Sequence, residues 1–214
     1  MSNSLTLLIV DDHPMFRMAV RHALDELLAD GRMVEAASQS ALEAALMETP
    51  EIDLVLLDLT MPGAIGFSSL VLLRSERPDL PVIVVSSNDH PRTVRRAQQF
   101  GAAGFVPKSA PAEQLADAVR EVLAGSQSFP ASKAGHDPQD AQLAGRLAGL
   151  TPQQLRVLML LAEGLLNKQI AAELKLSENT VKIHVTAVLA KLDCRSRTQA
   201  ALMAKSLDMD DGLR

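Results

Sequence analysis

The chain contains no tryptophan and no tyrosine, and aromatic residues make up only 2% of its 214 residues. That leaves little material for an aromatic-lined ligand pocket. A single cysteine, Cys194, excludes an intrachain disulfide and points to a reducing compartment. No apolar run approaches the roughly 20 residues that a membrane-spanning helix needs. The start, Met1-Ser2-Asn3-Ser4, carries no basic residue before its short apolar stretch, and that stretch runs into two aspartates. It reads as the lead-in to a strand, not as a signal peptide. What is present is material for packed cores: 47% of residues are hydrophobic, and the length allows two small domains. The expected localisation is cytoplasmic.

The net charge of −5 is unevenly placed. Residues 1–125 carry 17 acidic and 10 basic side chains, whereas residues 149–205 carry 4 and 8. A basic tail-end module with an anionic partner is one reading of that asymmetry. A few surplus lysines on a solvated face are the other.

Short apolar runs alternate with helical periods through the first part of the chain. Strands are predicted at Leu5–Val10, Met33–Ala37, Leu54–Leu57, Val82–Val85 and Gly104–Val106. Helices are predicted at Met15–Leu28, Ala41–Glu48, Phe67–Glu76, Pro91–Phe100 and Pro111–Leu123. This alternation predicts an α/β fold with a five-stranded, doubly wound parallel sheet. Gly125–Ala141 is rich in glycine, serine and proline and reads as a linker, with a short helix at Leu143–Leu150. Beyond Leu150 everything is helical: Pro152–Glu163, Asn167–Leu174, Ser177–Leu192 and Ser196–Ser206. The expected domains are 1–125, a linker at 126–148, and an all-α domain of four helices at 149–214.

Three carboxylates stand where strands end. Asp11 and Asp12 follow Leu7-Leu8-Ile9-Val10, and Asp58 follows Leu54-Val55-Leu56-Leu57. A desolvated carboxylate costs several kcal/mol or more unless it is paired or metal-bound. In a parallel sheet such ends share the edge where ligands bind. Asp11, Asp12 and Asp58, with the carbonyl of Thr60, supply the oxygen set that Mg²⁺ prefers. An aspartate there can also be a nucleophile that forms an acyl phosphate. Ser86 ends the fourth strand run and Lys108 follows the fifth; each alone reads as a turn or solvated residue. The fourth helix is basic, with Arg92, Arg95 and Arg96 on it. It is either a solvated face or a signalling surface for a partner or the second domain.

These ordered residues resemble the receiver domain of bacterial two-component response regulators. The resemblance rests on Ile9-Val10-Asp11-Asp12-His13-Pro14, on Leu57-Asp58-Leu59-Thr60-Met61-Pro62-Gly63 with Gly66, on Val85-Ser86-Ser87, and on Gly101 through Ser109. It implies a flavodoxin-like receiver in which a sensor histidine kinase phosphorylates Asp58. Asp11, Asp12, Asp58 and Thr60 would hold Mg²⁺, and Ser86 and Lys108 would read the phosphoryl group. Phe105 would be the aromatic switch that turns inward as Ser86 moves. The chain departs from the common pattern with Ser at position 86, where Thr is frequent, and at Thr60 and Ser87, which bear on phosphate lifetime.

In the helical tail, Ser177 is placed to cap the helix that follows it. Wound at 100° per residue, Val181, Val185, Val188, Leu189 and Leu192 form one face. Ile183, Thr186, Ala187 and Ala190 lie opposite, with Lys182 on one flank and His184 and Lys191 on the other. With Asn167–Leu174 before it, this makes a helix-turn-helix. Leu150–Ala204 is similar to the LuxR-type helix-turn-helix, through Leu150-Thr151-Pro152, Leu161-Ala162-Glu163-Gly164, Asn167-Lys168-Gln169-Ile170-Ala171, Thr180 through Val185, and Arg195-Ser196-Arg197-Thr198. Joined to a receiver, it resembles the NarL/FixJ class. The resemblance implies that Lys182, Ile183, Thr186 and Ala187 meet bases or groove. It places Asn167, Lys168, Thr180, Lys191, Arg195 and Arg197 on phosphates. Thr186 and Ala187 replace longer polar residues, so methyl contacts and DNA shape would have to carry specificity. Asp193 and Cys194 stand where Gly and Val are common; Asp tolerates a left-handed helix cap, though less well than Gly.

The expected function is a phosphorylation-switched transcription factor and not an enzyme: Asp58 is phosphorylated, the DNA-binding module is freed, and a homodimer binds two operator half-sites of double-stranded DNA. An Mg²⁺-dependent phosphohydrolase would use the same acids, but Asp58-Leu59-Thr60 lacks a carboxylate two residues on to act as general acid. A regulator worked by protein contacts alone is disfavoured by the intact acidic cluster. A small-molecule-sensing LuxR-type factor is disfavoured because its ligand domain should not look like a receiver.

Overall fold

A computed structural model of the chain describes residues 4–130 and 137–208. Met1 to Asn3, part of the expected linker and the last residues of the chain lie outside that description.

The five apolar runs form one parallel sheet. Its strands are β1 (Thr6–Val10), β2 (Arg32–Ala36), β3 (Leu54–Leu57), β4 (Val82–Ser86) and β5 (Gly104–Pro107), in the order β2-β1-β3-β4-β5. All five of β1's residues are buried, as are all of β3's and β4's. That explains why these runs show no polar alternation. Side chains alternate between two cores. Leu7, Ile9, Leu54, Leu56, Ile83, Val85 and Val106 face α1 (Pro14–Ala23) and α5 (Ala112–Leu123). Leu8, Val10, Val55, Leu57, Val82, Val84 and Phe105 face the other way, toward α2 (Gln39–Glu48), α3 (Ser68–Glu76) and α4 (Pro91–Gln99). The switch in strand order lies between β1 and β3, so Asp11, Asp12 and Asp58 emerge together at the carboxyl ends of those strands.

The chain after α5 differs from the expected linker in two ways. Ser128 is stitched to the β5 edge: its N–H donates to Ala103 O at 3.0 Å and its carbonyl accepts from Phe105 N at 2.8 Å. A helix, α6 (Pro138–Ala148), then begins five residues earlier than the sequence reading placed it. The cause is local. Asp137 caps it, accepting from Gln139 N at 2.9 Å, and Pro138 stands at the first helical position.

Four helices follow: α7 (Pro152–Ala162), α8 (Asn167–Glu173), α9 (Glu178–Leu192) and α10 (Arg197–Lys205). Val157, Leu161, Ile170, Ala171 and Val181 form their own small core. The two halves are not separate bodies, however. The receiver-side core runs from Phe67, Leu70 and Leu73 through Leu147, Leu155 and Leu158 to Ala200, Ala204 and Leu207.

Polar contacts reinforce this seam. The Phe67 N–H donates to Leu207 O at 3.1 Å, and Gly66, at φ +49°, lets the chain approach so closely that a Cβ there would overlap the same carbonyl. Arg156 on α7 pairs with Glu43 at 3.4 Å and with Glu76. Burial pushes the Glu76 carboxyl up, partly opposed by Arg156.

Arg96, 4% exposed on α4, is the hub. Its Nε lies 3.2 Å from Asp140 Oδ1 on α6, its guanidinium donates to Ser206 O and to Asp208 O (3.0 Å), and it stacks 4.9 Å from the Phe67 ring. Of the two readings of the basic fourth helix, the surface for the second domain is therefore correct for Arg96.

Candidate functional site

The acids expected at the sheet edge converge. Oxygens of Asp11, Asp12 and Asp58 and a ring nitrogen of His13 all lie within 4.8 Å of one another. Asp11 and Asp58 are each 1% exposed; the Asp12 side chain is about a third exposed. Their positions are set by backbone pairing: Asp58 N donates to Val10 O at 2.8 Å and Asp11 N to Ala36 O at 3.0 Å.

Lys108 is the counter-charge. Its Nζ lies 2.7 Å from Asp11 Oδ2 and 2.8 Å from Asp58 Oδ2. Burial pulls the Lys108 pKa down, but the hydrogen bonds that the ammonium donates to Asp11 and Asp58 outweigh it, so the ammonium ends above its ordinary value. One lysine does not neutralise three carboxylates. The oxygen-rich donor set therefore fits a hard divalent cation, and His13 is a neighbour of that set, its Nδ1 2.7 Å from Asp12 Oδ1.

Thr60 is exposed beside Asp58, its hydroxyl donating to Asp58 Oδ1 at 2.9 Å and lying 3.1 Å from Oδ2. Ser86 is buried, and its Oγ accepts from Asn88 N at 3.1 Å. Its carbonyl accepts from Lys108 N at 2.8 Å, which ties the fourth and fifth strand ends together. Phe105 is 1% exposed and already packed in the core. Its N–H donates to Ser128 O at 2.8 Å, so both the ring and the backbone of Phe105 are held at the β5 edge.

The helix-turn-helix is formed by α8 and α9. Lys175 turns the chain at φ 53°, and Leu176 N bonds back to Ala171 O at 2.9 Å. Ser177 caps α9 as expected, accepting from Thr180 N at 3.1 Å. Replacing Ser177 with Ala should cost about 1 kcal/mol, read as a lower melting temperature in circular dichroism; an unchanged melting curve would remove the cap from this account. Asp193 takes the left-handed cap, φ 55° and ψ 42°.

Val181, Val188 and Leu192 are buried, with Val185 and Leu189 half-buried beside them. Opposite, Lys182, Ile183 and Thr186 are exposed and Ala187 is half-buried. The Thr186 hydroxyl donates to Lys182 O at 2.9 Å. That turns its oxygen toward the helix and leaves its methyl as the outward group. Lys182 pairs with Glu178 at 3.2 Å. Lys168 and Arg195 are exposed, and Asn167 and Thr180 are half-buried at the starts of α8 and α9.

Two of the expected phosphate contacts have intradomain duties. Lys191 Nζ donates to Gly149 O and Gln154 Oε1 at 2.9 and 2.8 Å, and Arg197 donates to Leu165 O at 2.6 Å.

The sequence reading gave no role to Arg17, whose guanidinium donates to Asp11 O at 2.8 Å while pairing with Glu35, or to Phe16, which lies against Lys108.

Residues 7–120 match the family described as "Response regulator receiver domain", and residues 148–204 match "Bacterial regulatory proteins, luxR family". The chain is 37% identical to the "Glycerol metabolism activator" of Pseudomonas putida over 97% of this chain and 98% of that one. It belongs to the NarL/FixJ class of response regulators. Within that class, the "Nitrate/nitrite response regulator protein NarL" of Escherichia coli K12 is 35% identical, covering 92% of this chain and 93% of its own. A solved structure described as "Structure of the two-component response regulator RcsB-DNA complex" superposes with a TM-score of 0.55 at 25% identity, covering 96% of this chain and 99% of that one. This response regulator therefore joins a receiver to a LuxR-type DNA-binding domain, and no described helix is long and apolar enough to cross a membrane.

Proposed function

We propose that a sensor histidine kinase phosphorylates this regulator on Asp58, and that the phosphoryl group controls pairing of the DNA-binding modules on an operator of two half-sites in the bacterial cytoplasm. The observation that carries the reading is the contact of Lys108 with both Asp11 and Asp58 at the edge where β1 and β3 end. A carboxylate oxygen of Asp58 bonds to phosphorus, the kinase imidazole leaves, and the product is an acyl phosphate. Mg²⁺ would be held by Asp11, Asp12 and Asp58 with the carbonyl of Thr60, and when bound it offsets the repulsion between the acids and the incoming phosphoryl charge. Lys108 and Ser86 are within the same edge to receive phosphoryl oxygens, and Phe105 senses Ser86 from the neighbouring strand. No turnover of an external substrate is part of this reading: Asp58 is a signal input.

The boundaries follow: a receiver over 1–125, a connection over 126–148 and a DNA-binding domain over 149–214. In the latter, Lys182, Ile183, Thr186 and Ala187 face the groove, and Asn167, Lys168, Thr180 and Arg195 meet phosphates. Lys191 and Arg197 join them once released from Gly149, Gln154 and Leu165. Replacing Lys182 with Ala should weaken operator binding and flatten its salt dependence, because a cation is lost from the strongly negative groove. Titration of labelled operator at several salt concentrations checks this; unchanged affinity and slope would remove Lys182 from the contact set.

A further inference from the structure

Lys108 is held on three sides, and only two of them are acids. Its Nζ touches Asp11 and Asp58, and on the third side it stands over the face of the Phe16 ring, 4.9 Å from the centroid. The side chain is 15% exposed. An ammonium has three donors and no acceptor, so the side not facing a carboxylate must meet water or a group that stabilises a cation. An aromatic face does this through its quadrupole, most strongly where water is scarce.

The ring is not a loose neighbour. Phe16 is the third residue of α1 and packs half-buried against the α1–α5 core. Its N–H donates to His13 O at 3.1 Å, the His13 N–H donates to Asp11 Oδ1 at 2.8 Å, and Arg17 beside it grips Asp11 O. One turn of chain therefore fixes the acids and the ring in the same frame. A leucine would fill similar space but offer no π-face.

We propose that Phe16 is a positioning residue for Lys108: its ring face holds the ammonium over the acid cluster, on the oxygens that a divalent cation and a phosphoryl group would also engage. Phe16 itself touches neither. Two effects of opposite sign follow. Lys108 and a cation compete for oxygens of Asp11 and Asp58, so a loosened Lys108 lets the cation bind more tightly. Phosphoryl transfer needs the ammonium in place, so the same loosening slows it. The second effect rests on the reading of Asp58 as phosphoacceptor; the first does not.

The test uses the full chain as wild type, Phe16→Leu, Phe16→Tyr, Lys108→Ala and the double variant Phe16→Leu/Lys108→Ala. Calorimetric titration with MgCl2 gives the metal affinity. Intact mass against time, with acetyl phosphate and saturating MgCl2, gives the phosphorylation rate. Phe16→Leu should tighten Mg²⁺ binding and slow phosphorylation, each by about 2- to 30-fold, the span of a cation–π contact from exposed to desolvated. Phe16→Tyr, which keeps the π-face, should restore both. In the Lys108→Ala background the leucine substitution should leave Mg²⁺ affinity unchanged. The proposal is overturned if leucine behaves as phenylalanine, if tyrosine fails as leucine does, or if the leucine effect persists without Lys108. Should Phe16→Leu not fold, Phe16→Met, equally apolar and without a ring, enters the same comparisons. If wild type forms no adduct, the phosphoacceptor reading fails while the Mg²⁺ titrations still decide the role of Phe16.

Discussion

Asp58→Asn should abolish every phosphoryl-dependent response of this protein. The amide cannot form an acyl phosphate, so acetyl phosphate and Mg²⁺ should leave its mass unchanged, and operator affinity should stay at the untreated level. The fold should survive. Asp58 is buried among like charges and shares Lys108 with Asp11, so removing one charge relieves repulsion as well as losing an ion pair. Intact mass and operator titration on the variant check this. A variant that gains the adduct or tightens on DNA as wild type does would move the acceptor elsewhere.

Arg96→Ala should release the DNA-binding module without any phosphoryl group. Arg96 and Asp140 form a pair with side chains only 5% and 8% exposed. Deleting one partner of a buried pair costs on the order of 3–5 kcal/mol. That loss falls on the seam between α4, α6 and the end of α10, because the same guanidinium also holds the Ser206 and Asp208 carbonyls. The receiver grips α6, α7 and the end of α10, yet Lys182, Ile183 and Thr186 on α9 stay exposed. The grip therefore restrains where the module can go more than it covers the groove-facing side. The variant should bind a two-half-site operator more tightly than wild type in the absence of phosphodonor, with a smaller gain on a single half-site. Small-angle scattering should show a larger radius of gyration. A variant as compact as wild type and equally dependent on phosphodonor would mean that Arg96 does not close the molecule.

The features legible in the sequence were those with a local cause. Three of the apolar runs became the fully buried central strands β1, β3 and β4, because only burial on both faces tolerates such runs. Ser177 and Asp193 behaved as caps because capping depends on a few neighbouring backbone groups. The acids were legible because strand ends in a parallel sheet have a known meeting place. What escaped was set by distance along the chain. The contact of Arg96 with Ser206 and Asp208 spans more than a hundred residues, and its basic helix alone fits a solvated face equally well. Phe16 carries no signal of its own in the sequence, and only the fold brings it to Lys108, 92 positions away. Asp137 and Pro138 did carry a helix-start signal, hidden in a segment whose glycines and prolines dominate its composition.

The most direct measurement of the central claim is sedimentation velocity paired with intact mass on the wild-type chain, with and without MgCl2 and acetyl phosphate, in the presence of a labelled two-half-site operator. One phosphoryl adduct per chain, mapped by peptide fragmentation to Asp58 and appearing together with a two-chain complex on DNA, is the predicted result. An adduct at Asp58 that leaves the sedimentation of protein and operator unchanged would contradict it.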